Sequence, residues 1–180
     1  MDSSHNNASP DFLQYDQTRP ISVVEVDLNP DTLSHHKNVV RRFYKELWDK
    51  HDTTIIPDLI HDDLTFRGSL GPVLVGHSQF ASYVNWLTGV LGLYTSDILD
   101  LIEEGTKVTA KLRFHGIHND HLFGQPPTRN WVWWHGVAIF TFEDGKIKDL
   151  WVLGDIHGLI GRLNEAVPKL EFVAIGPAAG

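Results

Sequence analysis

The sequence predicts an α+β domain in which helices cover a curved, mostly antiparallel sheet. Three observations carry this. Two long segments repeat apolar residues at helical spacing, Leu33–Trp48 and Phe80–Leu91. Four later segments have strand length and strand patterning, and tight turns join several of them. The helices come mainly first and the strands in a run, which is the order of an α+β fold. A strongly curved sheet closed by helices on its concave side leaves a blind pocket.

Composition narrows the chemistry. The 180 residues favour one domain and suffice for a real core. There are no cysteines, so a disulfide framework, a thiol nucleophile and a thiolate metal site are excluded. The net charge is −8 and no Lys/Arg run concentrates positive charge, which argues against a nucleic-acid partner. No apolar run approaches the roughly 20 residues of a membrane span. The N-terminal stretch lacks the basic and apolar regions of a secretory signal, so a soluble cytoplasmic protein is expected.

In chain order, residues 1–28 read as a polar, flexible arm, with Ile21–Asp27 a short edge strand or an ordered lead-in. The folded domain is expected over 29–165 and an apolar tail over 166–180. Asn29-Pro30-Asp31 is a helix start: an N-cap, a proline in the first turn and an acid near the dipole's positive end. The helix after it carries Leu33, Val40, Phe43, Tyr44, Leu47 and Trp48 on one stripe. A short helix over Thr54–Ile60 and a strand over Leu64–Ser69 follow. Gly76 opens the second amphipathic helix, with Phe80, Tyr83, Val84 and Leu87 on one side. Strands are expected at Tyr94–Glu103, Lys107–His118, Trp131–Phe142 and Lys146–Asp155, then a short helix over Ile156–Asn164.

Alternation assigns faces. In Lys107–His118, Val108, Ala110, Leu112, Phe114 and Gly116 form one side, and Lys107, Thr109, Lys111, Arg113 and His115 the other. His118 therefore belongs to the apolar face and His115 to the wet one. Because neighbours at odd spacing diverge, His115, His118 and His121 do not converge on a metal. Trp131–Phe142 is apolar on both faces, as in a strand buried on both sides. In the last strand Ile147, Asp149, Trp151, Leu153 and Asp155 share parity. Asp155 then has two possible roles, a pocket carboxylate near Trp151 or an N-cap for the helix that follows it.

Three motifs now coincide with a known pattern. They are Phe66-Arg67-Gly68-Ser69-Leu70-Gly71-Pro72 with Gly76-His77; Gly116-Ile117-His118 with Phe123-Gly124-x-Pro126-Pro127-Thr128; and Ile139-Phe140-x-Phe142-Glu143-Asp144-Gly145-Lys146-Ile147 leading to Trp151-Val152-Leu153-Gly154-Asp155. In order and spacing they resemble the SnoaL-like polyketide cyclases (ester cyclases) of the nuclear transport factor 2-like superfamily. The resemblance spans about residues 35–165. It implies a cone-shaped α+β barrel and a cofactor-independent cyclase or isomerase acting through an enol or enolate. It implies a hydrophobic, carbonyl-rich metabolite as substrate, and a homodimer. Dehydration, epoxide opening and plain ligand binding occur on the same scaffold. The implied acid/base pair maps onto Asp155 and His118. Trp151, Phe66, Tyr83, Trp86, Arg67 and His135 are the candidate substrate contacts. Where the family has Gly-Glu-Phe after the histidine, this chain has Asn119-Asp120-His121-Leu122-Phe123.

Overall fold

The computed structural model describes residues 23–164. Residues 1–22 of the expected arm and the whole expected tail over 166–180 lie outside the described residues. Within 23–28 the arm expectation fails. The Val26 amide donates to the Ile98 carbonyl at 3.0 Å, and Glu25 Oε1 accepts from the Ile98 amide at 3.0 Å. This stretch is therefore an ordered lead-in laid against the sheet.

The elements are α1 (His35–Arg42), continued by a π-helical stretch Phe43–Trp48; a 3-10 turn (Thr53–Ile55) and α2 (Ile56–Leu59); β1 (Ile60–Arg67); β2 (Val73–Val75); α3 (Gly76–Val90); β3 (Leu91–Glu104); β4 (Lys107–His118); β5 (Trp131–Glu143); β6 (Lys146–Gly154); and α4 (Ile156–Asn164). The first helix starts later than Asn29 predicts. Asn29 Oδ1 accepts from the Asp31 amide and its carbonyl from the Thr32 amide, a local turn that competes with helix. The N-cap is Ser34, whose hydroxyl accepts from the Lys37 amide.

The strands form one open six-stranded sheet, in the order β2-β1-β6-β5-β4-β3. It is mixed: β1 runs parallel to β6, and the other pairings are antiparallel. Phe43, Tyr44, Leu47 and Trp48 from the π-helical stretch and Phe80, Val84 and Leu87 from α3 pack into one core with the concave face of this sheet. In β4 the predicted parity holds throughout: Val108, Ala110, Leu112, Phe114 and His118 are all buried.

β5 departs from the expectation of burial on both sides. Val132, Trp134, Ala138, Phe140 and Phe142 are buried, but His135 and Val137 between them are exposed. On the outward side Trp133 is half-covered by α4, with the Arg162 guanidinium 3.6 Å above the ring centroid.

β6 departs more consequentially. Ile147 lies opposite Phe142 and Asp149 opposite Thr141, so Lys148 is an extra residue in the ladder. A one-residue bulge exchanges faces for everything after it. Ile147 is buried, yet the next buried residue is Leu150, while Asp149 and Leu153 are exposed. The side-chain set Asp149, Trp151 and Leu153 thus lies outward, against the expectation from uninterrupted alternation, and Asp155 falls beyond the strand.

Candidate active site

The concave side holds a half-open cavity of about 40 Å³. Phe43, Tyr44 and Trp48 reach it from the helical side, and Tyr83 and Leu87 from α3. Phe66, Gly68, Ser69 and Leu70 form one end, and Tyr94, Phe114, Trp134, Leu150 and Val152 the sheet wall. The wall aromatics pack on one another: the Phe114 and Trp134 rings lie 5.2 Å apart and tilted, and the Phe114 and Tyr94 rings 6.4 Å apart and stacked. Ser69 clips the end of β1 to β6. Its hydroxyl donates to the Val152 carbonyl at 2.9 Å and accepts from the Gly154 amide at 2.5 Å.

Tyr44, Tyr83 and Tyr94 contribute phenols to an otherwise mostly apolar lining. Burial pushes all three above the ordinary phenol range, and the neighbouring Tyr83 adds to the rise at Tyr94. They remain protonated at neutral pH, so each phenol keeps a hydrogen to donate, that of Tyr94 with Ser96 as a hydrogen-bond neighbour. Sequence reading placed Tyr44 on a core stripe and Tyr94 in a strand. The phenol tips were the signal that either could also serve a site.

His118 faces inward at 0% exposure, as parity predicts. It does not line the cavity. Its Nδ1 accepts from the Thr128 amide at 3.2 Å and lies 3.2 Å from the Thr128 hydroxyl. Nε2 is buried without a hydrogen bond of normal geometry. The Arg129 amide donates to the His118 carbonyl, and the His118 amide to that of Asn130. His118 therefore anchors the loop 119–130 as a neutral ring.

Burial lowers the His118 pKa, and His121 and Arg129 add to this, while Asp120 opposes it. The unfolded chain then binds more protons than the folded one below the ordinary histidine range. Stability is full above about pH 6.5 and declines as pH falls from there through the lower folded value. Urea titrations at pH 7.5 and pH 5 should show this. His118→Gln should flatten the slope between the two pH values; an unchanged slope excludes His118 as its source.

Asp155 stands at the N-terminus of α4. Its Oδ1 accepts from the Gly158 amide at 2.9 Å, and Oδ2 lies 3.9 Å from Arg162 Nη1, with the side chain 50% exposed. A Cβ on Gly158 would lie 2.1 Å from Oδ2, so a side chain there would displace the carboxylate from this position. The preceding residue, Gly154, packs on Trp134 and Ser69 of the cavity wall. Asp155 is therefore one peptide beyond that wall.

The expected Asp155–His118 pair does not meet. The Asp155 amide donates to the His135 carbonyl, and His135 lies opposite Arg113 on β4. His118 is five residues further along β4 and two strands from β6. At sheet spacings this is on the order of 15–20 Å. Nor do the substrate-contact candidates converge. Phe66 and Tyr83 line the cavity. Trp86 is 43% exposed on α3. Arg67 is exposed on the side of β1 opposite Phe66, with Trp151 as its neighbour on β6. Trp151 points outward because of the bulge, and His135 is exposed on the outer face. His115 is held outward by Asp97, 3.3 Å away, beside Arg113.

Comparison with known proteins agrees with this architecture. Residues 38–161 match the model of the SnoaL-like polyketide cyclases. The aklanonic acid methyl ester cyclase DnrD of Streptomyces peucetius is 29% identical over 142 residues, covering 77% of this chain and 97% of that protein. A second aklanonic acid methyl ester cyclase, DauD of Streptomyces sp. (strain C5), is 28% identical and covers 77% of this chain and 88% of that one. The crystal structure of a polyketide cyclase homologue from Acidithiobacillus ferrooxidans superposes with a TM-score of 0.68 at 19% identity, over 76% of this chain and 99% of that one. The cone-type fold, the span of the match and the curated relatives agree: the chain belongs to the SnoaL-like polyketide cyclases.

Proposed function

We propose that this protein closes a carbon ring in a hydrophobic, carbonyl-rich ester by an intramolecular aldol reaction. A base removes the proton α to a carbonyl. The resulting enolate carbon attacks a second carbonyl carbon of the same molecule. A carbon–carbon bond forms, and the oxygen that becomes an alkoxide takes a proton. The observation that carries this reading is the cavity: a mostly apolar, half-open pocket lined by Tyr44, Tyr83 and Tyr94, whose phenols stay protonated. Such donors stabilise an enolate in a medium that screens charge weakly. Proton movement alone completes this sequence, so no cofactor enters it.

Asp155 is the proposed base, acting from the rim beside Gly154. His118 holds the loop 119–130 at a distance and does not share the proton. The substrate named for the cyclase DnrD supplies the test. Incubation with aklanonic acid methyl ester should yield a product of unchanged mass with a new retention time, because aldol closure is an isomerisation. A product lighter by one water would instead indicate dehydration, and no product would exclude this substrate.

A second copy is the proposed partner, seated on the outward sheet face where Val137 and Leu153 are 40% and 54% exposed. Light scattering should then give twice the 20.3 kDa chain mass, and Leu153→Glu should return the monomer mass. A monomeric wild type overturns this assignment. Among the described residues, no helix is long and apolar enough to cross a membrane.

A further inference from the structure

β3 is a free edge of the sheet, and the end of the π-helical stretch clamps it at one residue. The Ser96 amide donates to Asp49 Oδ1 at 2.9 Å, and the Ser96 carbonyl accepts from Lys45 Nζ at 2.6 Å. His51 Nε2 lies 3.4 Å from the Tyr94 carbonyl, and the Trp48 and Tyr94 ring centroids are 5.3 Å apart. Residues 45–51 thus hold Tyr94 and Ser96 in place. The two are a pleat apart, so their side chains share a face, and both are buried, at 4% and 1% exposure. Tyr94 lines the cavity, while Ser96 is no part of its lining.

The pair has two hydroxyl hydrogens and one contact to make. The Ser96 hydroxyl forms no hydrogen bond of normal geometry among the described residues, and the Tyr94 phenol is its hydrogen-bond neighbour. If the phenol donated to the serine, the serine hydrogen would be left unpaired in the core, which is costly. If the serine donates to the phenol oxygen, the hydrogen left over is the phenol's. That hydrogen belongs to a group on the wall of a half-open cavity, where water or substrate can accept it. The second arrangement strands nothing. Burial raises the Tyr94 phenol and Ser96 opposes the rise, as a hydroxyl does when it donates to a phenol oxygen.

We propose that Ser96 is a positioning residue: its hydroxyl donates to the Tyr94 oxygen and so turns the phenol hydrogen into the cavity, towards the oxygen that becomes an enolate. Ser96 does not touch the substrate, and Asp49 and Lys45 serve by fixing its peptide. The inference rests on the ring-closing reading and deepens it by naming which phenol is aimed and what aims it.

Two readouts on the full chain separate this from a packing role. The first needs no substrate. In ultraviolet resonance Raman spectra the intensity ratio of the tyrosine Fermi doublet rises when the phenol oxygen accepts a hydrogen bond and falls when the phenol only donates. Ser96→Ala should lower the ratio, and should leave it unchanged in a Tyr94→Phe background. A rise would mean that the phenol donates to the serine, and no change would mean that the two hydroxyls do not bond; either overturns the proposal. The second readout is kinetic, on aklanonic acid methyl ester. Tyr94→Phe should lower kcat about 10²-fold. Ser96→Ala should lower it about tenfold with KM within about twofold of wild type, the pattern of an interaction made only in the transition state. In the Tyr94→Phe background Ser96→Ala should cost nothing further, because the hydrogen it aims is gone. Ser96→Thr, which keeps the hydroxyl, should retain most of the wild-type kcat. Equal losses from Ser96→Ala in both backgrounds, or a change in KM alone, overturn the proposal. A lowered Raman ratio in a protein that does not turn over this ester keeps Ser96 as the group that orients Tyr94 and removes the ring-closing reading.

Discussion

Asp155→Asn should lower turnover by about 10²–10⁴-fold while leaving the fold and melting temperature nearly unchanged. The two halves of this expectation come from separate features of one side chain. Asparagine caps helices about as well as aspartate, so its amide oxygen can keep the bond to the Gly158 amide that Asp155 Oδ1 now makes at 2.9 Å. It cannot take a proton as a base. Asp155→Ala would confound the two effects by adding the loss of a cap, about 1 kcal/mol. The measurement is kcat on the ester substrate together with circular dichroism melts of both variants. Full activity in Asp155→Asn would reduce Asp155 to a helix cap and leave the proposed base unassigned.

Phe140→Ala should destabilise the protein by about 3–5 kcal/mol. The side chain is fully buried on the concave face of β5. Its ring centroid is 5.5 Å from that of Phe43 and 6.0 Å from that of Tyr44, both near perpendicular. Truncation would leave a void against the π-helical stretch that carries Tyr44 and Trp48 to the cavity. Since a domain's net stability is about 5–15 kcal/mol, this is a large share of it. Chemical denaturation monitored by tryptophan fluorescence reads the loss directly, and a change below about 1 kcal/mol would show that the core closes over the gap. The same variant should lose affinity for substrate before it unfolds, because Tyr44 loses a wall that fixes it.

The contrast between β4 and β6 shows where sequence reading succeeds. β4 alternates without interruption from Lys107 to His118, so counting residues from Val108 gave the face of His118 correctly. β6 has equally clear chemistry, but the same counting fails after Lys148. A bulge adds a single residue and leaves no mark in composition. It is set by how β6 must match β5 on one side and β1 on the other, where the register with β1 also shifts between Ile60 and Thr65. The first helix is a milder case. Asn29 and Ser34 are both good caps, and the choice between them depended on Asn29 closing a local turn.

By itself the sequence determined the α+β class, the family, the helical stripes that form the core, and the inward face of β4. Those follow from local periodicity and from motifs written in contiguous residues. Tertiary structure decided which polar groups share a space. It put the Tyr44, Tyr83 and Tyr94 phenols around one cavity from three different elements. It sent Asp155 to the rim and His118 to a loop anchor. Convergence of this kind depends on strand register and sheet curvature, which are fixed by pairings between residues distant in the chain. Alternation along one strand carries no information about them.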